Sequence, residues 1–242
     1  MARSPGSRRL LVVSAHSADF VWRAAGAIAT VTSQGGTAVV VSLSYGERGE
    51  SGELWKEEGQ TIDNVKALRR GEAETAAEIL GADIVFLDRG DYPLELDGDA
   101  VAELTDVMRD AEPDLVLGHA KQDPFNFDHG VASDATIRAR QLASGAGVAS
   151  GFRTITPPAL LLFEPHQPEL CGFVPTTFLD ITPVWDKKLA AMEAMGAQEY
   201  LRQYYTERAG HRANHARRIS GLAEIRYAEA FQREIPQVVD AL

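Results

Sequence analysis

The stretch Leu10–Phe20, LLVVSAHSADF, runs a continuous apolar segment of strand length into a histidine and then, three residues later, an aspartate. A run without polar alternation reads as a strand buried on both faces, the kind found inside parallel sheets. A solvated turn at the end of such a strand needs neither His16 nor Asp19. A metal site at a strand tip needs both.

Outward from this strand, helix-like and strand-like segments alternate. Asp19 to Ser33 carries Phe20, Ala24, Ala27, Ile28 and Val31 at helical spacing and is stopped by Gly35-Gly36. TAVVVSLSYG is a second, β-branched strand closed by Gly46, followed by the polar loop 47–60. A helix over 64–81 ends at Gly81, with Asp63 or Asn64 as candidate cap. ADIVFLD, DGDAVAELTDVMRDAEP and DLVLGH read as strand, helix and strand. Short strand–helix repeats imply right-handed crossovers, so the fold class is α/β, a Rossmann-like doubly wound and mainly parallel sheet flanked by helices. The second half is less regular: a helix from near His129, strands at ALLLFEPH and TFLDIT, a helical pattern over 185–207, and a charged helical tail over 209–242. We read 1–242 as one catalytic domain.

Composition narrows the function. The 242 residues carry 35 Asp and Glu against 24 Lys and Arg, a formal net charge of −11. That field repels nucleic acid and anionic membrane, so neither is expected as a partner, and an anionic substrate needs a local cluster of cations or metal. Cys171 is the only cysteine, which excludes an intrachain disulfide and cysteine-rich zinc sites. No apolar run reaches membrane-span length and MARSPGSRRL lacks a signal-peptide core, so a cytoplasmic protein is expected.

Ligands of doubly wound sheets bind beyond the carboxyl ends of the strands. His16, the Gly46–Glu50 loop, Asp88–Asp91 and His119 all fall there, as does His166 at the end of a later strand, while His129 lies in the nearby loop KQDPFNFDHG. Divalent ions such as zinc favour imidazole and carboxylate, with catalytic sites using three protein ligands and an open position. His16 and Asp19 could reach one point at a helix start, His129 could close the set, and Asp128 could orient a ligand from behind. Asp19 as a helix cap and His16 as a buried polar residue fit the spacing as well.

VVSAHSADFVWRAAGAIA resembles the opening signature of the PIG-L/LmbE-like zinc enzymes, usually Ala-His-Pro-Asp-Asp-Glu before a Gly/Ala-rich helix. HAKQDPFNFDHG is similar to their second signature, His-x-Asp-His. The resemblance implies metal ligation, by zinc or another divalent ion, at His16, Asp19 and His129. Most such enzymes deacetylate amino sugars with the first Asp of the opening signature as base, but here that position is Ala18, and the first His of the second signature is matched by Asn126. Alanine cannot accept a proton.

A narrower set, AHSADFVWRAAGAIA, SYGERGESGELW, GDYPL, DPFNFDH, FEPHQPE and TFLDITPVWDKK, looks like the 4-oxalomesaconate hydratases of bacterial gallate and protocatechuate catabolism. The resemblance implies a metal-dependent lyase hydrating 4-oxalomesaconate, or its enol tautomer, to 4-carboxy-4-hydroxy-2-oxoadipate, and an expectation of a homo-oligomer. On this reading Glu50 is the candidate general base and His166 the second proton-transfer or enolate-stabilising group. For the polycarboxylate substrate, Arg48, Lys121, Asn126 and His119 are the candidate contacts, with Arg23 open between substrate contact and exposed helix residue. Tyr45 and Ser51 are further hydrogen-bonding candidates. The alternatives are a zinc deacetylase whose base has moved to Glu50 or Asp128, and a binding protein without chemistry.

Overall fold

The computed structural model describes residues 8–236. Its strands are β1 (Arg9–Ser14), β2 (Thr37–Ser42), β3 (Asp83–Phe86), β4 (Leu115–Gly118), β5 (Ala159–Phe163), β6 (Thr177–Asp180) and β7 (Ala228–Arg233). The helices are α1 (Asp19–Ser33), α2 (Ile62–Leu80), α3 (Gly98–Ala111), α4 (Phe127–Ala143), α5 (Trp185–Glu193) and α6 (Leu201–Ser220). One sheet holds all these strands in the order β3-β2-β1-β4-β5-β7-β6. From β3 to β5 every pairing is parallel, whereas β7 runs antiparallel to both β5 and β6.

The unbroken apolar run of β1 is explained by two cores. Side chains alternate across a strand. Leu10 and Val12 therefore join α1, α2 and α5 in one core, while Leu11 and Val13 join α3 and α4 in the other. The chain order reverses between β1 and β4, and a crevice opens at their carboxyl ends, where doubly wound sheets bind ligands.

Three sequence expectations are corrected. The cap of α2 is Thr61, whose hydroxyl accepts from Asn64 N at 3.2 Å, because an extended residue three positions upstream of the bonded N–H is what a cap requires. The helical pattern over 185–207 is broken between α5 and α6, where Ala197 N donates to Glu72 Oε1 at 2.7 Å instead of continuing the helix. Within the segment 209–242, helix α6 ends at Ser220, and 228–233 form β7 rather than a helix. That strand is specified by partners more than fifty residues upstream, Phe163 and Thr177, both paired with Phe231. Residues 237–242 of the tail lie outside the described residues.

β7 also secures α1. Glu229 accepts from Gly26 N at 2.7 Å, Ala27 N at 2.8 Å and Lys188 Nζ at 2.6 Å, and Lys188 donates to Trp22 O at 3.0 Å. A Cβ on Gly26 would stand 2.5 Å from Ile181, so only glycine admits this approach. Buried charges of this kind need their partners. Here they hold the helix that carries the candidate site.

Candidate active site

β1 ends at Ser14, and the chain turns through Ala15 to Ala18 into α1, so His16 and Asp19 flank the turn. Asp19 Oδ2 accepts from His16 N at 2.8 Å and lies 3.4 Å from His16 Nδ1. His129 enters from the first turn of α4, with Nε2 3.6 Å from Asp19 Oδ1. The structure thus brings His16, Asp19 and His129 together.

Each imidazole has one nitrogen on a carboxylate and one bare. His16 Nε2 is 3.1 Å from Asp128 Oδ2, and His129 Nδ1 is 2.8 Å from Asp123 Oδ2. His16 Nδ1 and His129 Nε2 are buried with no hydrogen-bond partner. Buried polar atoms without a partner are costly, and a ring whose far nitrogen is fixed by a carboxylate is how proteins present a lone pair to a metal. His16, Glu50 and His129 form one group able to hold an ion, and Asp19, His119 and His129 form another. The residues present fit a divalent cation.

The electrostatics agree with crowding of charge. Burial alone would lower the basicity of His16, but Asp128 and Asp19 outweigh it and raise its pKa to about 10. Asp19 is buried, yet the imidazoles of His119 and His129 hold it well below the usual carboxylate range. Burial, aided by neighbouring His129, pushes His119 down to about 3. His119 is 1% exposed; its Nε2 lies 3.0 Å from Ala15 N and 3.2 Å from Asp19 Oδ2. It is a support behind the site and does not line the cleft, which corrects the expectation of a substrate contact.

The cleft in front has a volume of about 250 Å³. Glu50 reaches it from the loop after β2. Gly46, at φ +69°, lets that loop cross close over His16: a Cβ there would sit 2.9 Å from the Cβ of Glu50 and 3.2 Å from that of His16. Glu50 is clamped by Asn126 Nδ2, donating to Oε1 at 2.7 Å, and Gln198 Nε2, donating to Oε2 at 2.9 Å. Asn126 also caps α4, its Oδ1 accepting from Asp128 N at 3.2 Å, so its contact is with the protein at both ends. His166 lines the same cleft, stacked on Tyr204 with ring centroids 4.1 Å apart, and burial with the charge of Arg23 lowers its pKa.

Two expected cations lie elsewhere. Arg48 Nη1 donates to Asp91 O at 2.8 Å, because Asp91 draws the backbone of Arg48 and Gly49 into a tight crossing of two loops. Lys121 pairs with Glu234 just beyond β7. Neither lines the cleft. Tyr45, stacked on Phe86, and Ser51, bonded to Gly46 O, are buried away from it. Sequence reasoning missed Gln198, Asp123 and Tyr92. Gln198 arises from the break between α5 and α6 and has no local signal. Asp123 stands in the quoted loop six residues before His129, and that spacing could have flagged it.

Residues 11–140 match the PIG-L family, described as GlcNAc-PI de-N-acetylase. The chain belongs to the PIG-L family. This PIG-L chain is 49% identical, over 96% of its length and 91% of the relative's, to a 4-oxalmesaconate hydratase of Pseudomonas putida. It superposes with a TM-score of 0.94 on the crystal structure of GalB, the 4-carboxy-2-hydroxymuconate hydratase of the same species, at 49% identity and covering 97% of this chain and 99% of that one. The fold is shared with N,N'-diacetylchitobiose deacetylase of Pyrococcus horikoshii, TM-score 0.77 at 21% identity, covering 93% and 83% of the two chains. On this PIG-L scaffold Ala18 of this chain lies on the cleft wall, at the position where the deacetylase signature it resembles has its aspartate base.

Proposed function

We propose that this protein is a metal-dependent hydratase, a lyase that adds water across the conjugated double bond of 4-oxalomesaconate, or of its enol tautomer 4-carboxy-2-hydroxymuconate, to give 4-carboxy-4-hydroxy-2-oxoadipate. The observation that carries this reading is the pairing of Ala18 with Glu50 on one cleft: the deacetylase base is gone, and a carboxylate clamped by two amides faces the same space. The likeness to hydratases over almost the whole chain supports it.

His16, Asp19 and His129 would hold the ion, with zinc the proposed metal from the imidazole–carboxylate donor set. When bound, the ion supplies charge stabilisation at the oxo and carboxylate oxygens of the substrate. Glu50, with both oxygens receiving amide hydrogens, removes a proton from water positioned over the double bond. His166 donates a hydrogen bond to the enolate oxygen, or takes up the proton released at Glu50 and passes it to the neighbouring carbon; burial and the charge of Arg23 lower its pKa. Asp128 is poorly suited to serve as a relocated deacetylase base, since it is fully buried behind His16 and, unlike Glu50, does not line the cleft. Among the described residues no helix is long and apolar enough to cross a membrane. We place the enzyme in the cytoplasm and expect a homo-oligomer. Trp185 and Tyr205 are core, while Tyr200, 65% exposed, stands on the wall of the cleft.

The test is hydration of 4-oxalomesaconate by metal-loaded protein, followed as loss of conjugated absorbance. Glu50→Gln should abolish most turnover while metal content stays at the wild-type level. Undiminished turnover would remove Glu50 from the mechanism.

A further inference from the structure

Resting on the hydratase reading, a trianionic substrate must enter a cleft lined by Asp19, Glu50 and Asp123 on a chain of net charge −11. The fold takes Arg48 and Lys121 away from it. Among the described residues lining the cleft, Arg23 is the only arginine or lysine.

Arg23 is 9% exposed and held in place. Its Nη1 donates to Glu164 O at 3.1 Å. Its Nε lies 3.4 Å from Asp19 Oδ1 but is buried without a hydrogen bond. Among the described residues Nη2 makes none either. A guanidinium with donors to spare, buried at the wall of an anionic cleft, is unusual, because buried donors normally find acceptors. The missing acceptor is best supplied by a carboxylate, which matches the guanidinium fork in geometry and charge. Arg23 follows Asp19 by four positions on α1, so the two side chains share one face of the helix and the guanidinium stands beside the Asp19 carboxylate. A substrate carboxylate held on the guanidinium therefore lies next to the candidate metal site.

We propose that Arg23 is the carboxylate anchor of this cleft, the residue that selects polycarboxylates as ligands. It binds substrate directly, and its loss is felt in affinity before it is felt in turnover.

The experiment uses metal-loaded wild type, R23M and R23K. Binding of propane-1,2,3-tricarboxylate is measured by calorimetry, KM for 4-oxalomesaconate by absorbance, and metal content by elemental analysis. Losing a hydrogen bond to a charged group should weaken tricarboxylate binding and raise KM about 10- to 150-fold in R23M. R23K should fall between, since lysine keeps the charge but lacks the fork. Metal content should match wild type in both. Binding within about threefold of wild type in metal-replete R23M would overturn the proposal. Loss of metal in both variants would also overturn it, because Arg23 would then act through Asp19. If R23M does not fold, R23K decides by the same criteria. Wild type that binds the tricarboxylate but does not hydrate 4-oxalomesaconate would sink the hydratase reading and leave the anchor standing.

Discussion

Replacing Gln198 with leucine probes how the cleft aims its carboxylate. The Gln198 side chain cannot turn over: its Oε1 accepts from Trp22 Nε1 and from Arg69 Nη2, both at 3.1 Å, so its amide nitrogen must face Glu50 Oε2. Arg69 is itself fully buried, its Nη1 2.7 Å from Glu72 Oε2, while Glu72 Oε1 accepts from Ala197 N in the break that presents Gln198. The variant Q198L deletes one of the two amide donors on Glu50 and leaves Asn126 as the other. A hydrogen bond to a charged group contributes about 1.5–3 kcal/mol, so kcat should fall about 10- to 150-fold. KM should move little, because Gln198 is assigned to Glu50 and Arg23 to the substrate. The assay is steady-state hydration with metal content measured on the same samples. Unchanged kcat in metal-replete, folded Q198L would refute the argument that Gln198 aims the base. An effect confined to KM would refute it equally.

Two further outcomes are expected. Lys188→Met strips the buried Glu229 carboxylate of its cation and Trp22 O of a donor; breaking one side of such a pair costs about 3–5 kcal/mol. The melting temperature should then drop by roughly 6–20 °C in calorimetry, and a drop of under about 2 °C would show that the pair contributes nothing to holding α1. Burial, with the Asp123 carboxylate beside it, pushes the Cys171 thiol up to about 11. Folded protein keeps this proton while the unfolded chain loses it near pH 8.5, so the contribution to stability is complete below that pH and is lost as pH rises toward 11. Iodoacetamide at pH 9 should therefore modify Cys171 rapidly in denaturant and slowly in the native protein; equal rates would contradict the assignment.

Local signals sufficed wherever a single element carried the information. The apolar run of β1, the helical spacing of α1 and the glycine at Gly81 could be read directly, because strand burial, helix periodicity and left-handed caps are imposed by near neighbours. The placement of His16 and Asp19 at a strand tip followed from the same local geometry, while their reading as metal ligands and the departure at Ala18 came with the family resemblance. What sequence reading could not settle depended on distant partners. Arg48 and Lys121 stood in the right loops but pair with Asp91 and Glu234, charges that the tertiary fold delivers from elsewhere. His119 ended a strand as expected, yet its ring packs inward against Phe163 and His129. Gln198 reaches Glu50 across 148 positions of chain, and β7 takes its place between β5 and β6, both distant in sequence. Side-chain direction at a strand end and pairing between remote strands are decided by which neighbours exclude water and offer complementary groups, and only the folded chain brings those neighbours into place.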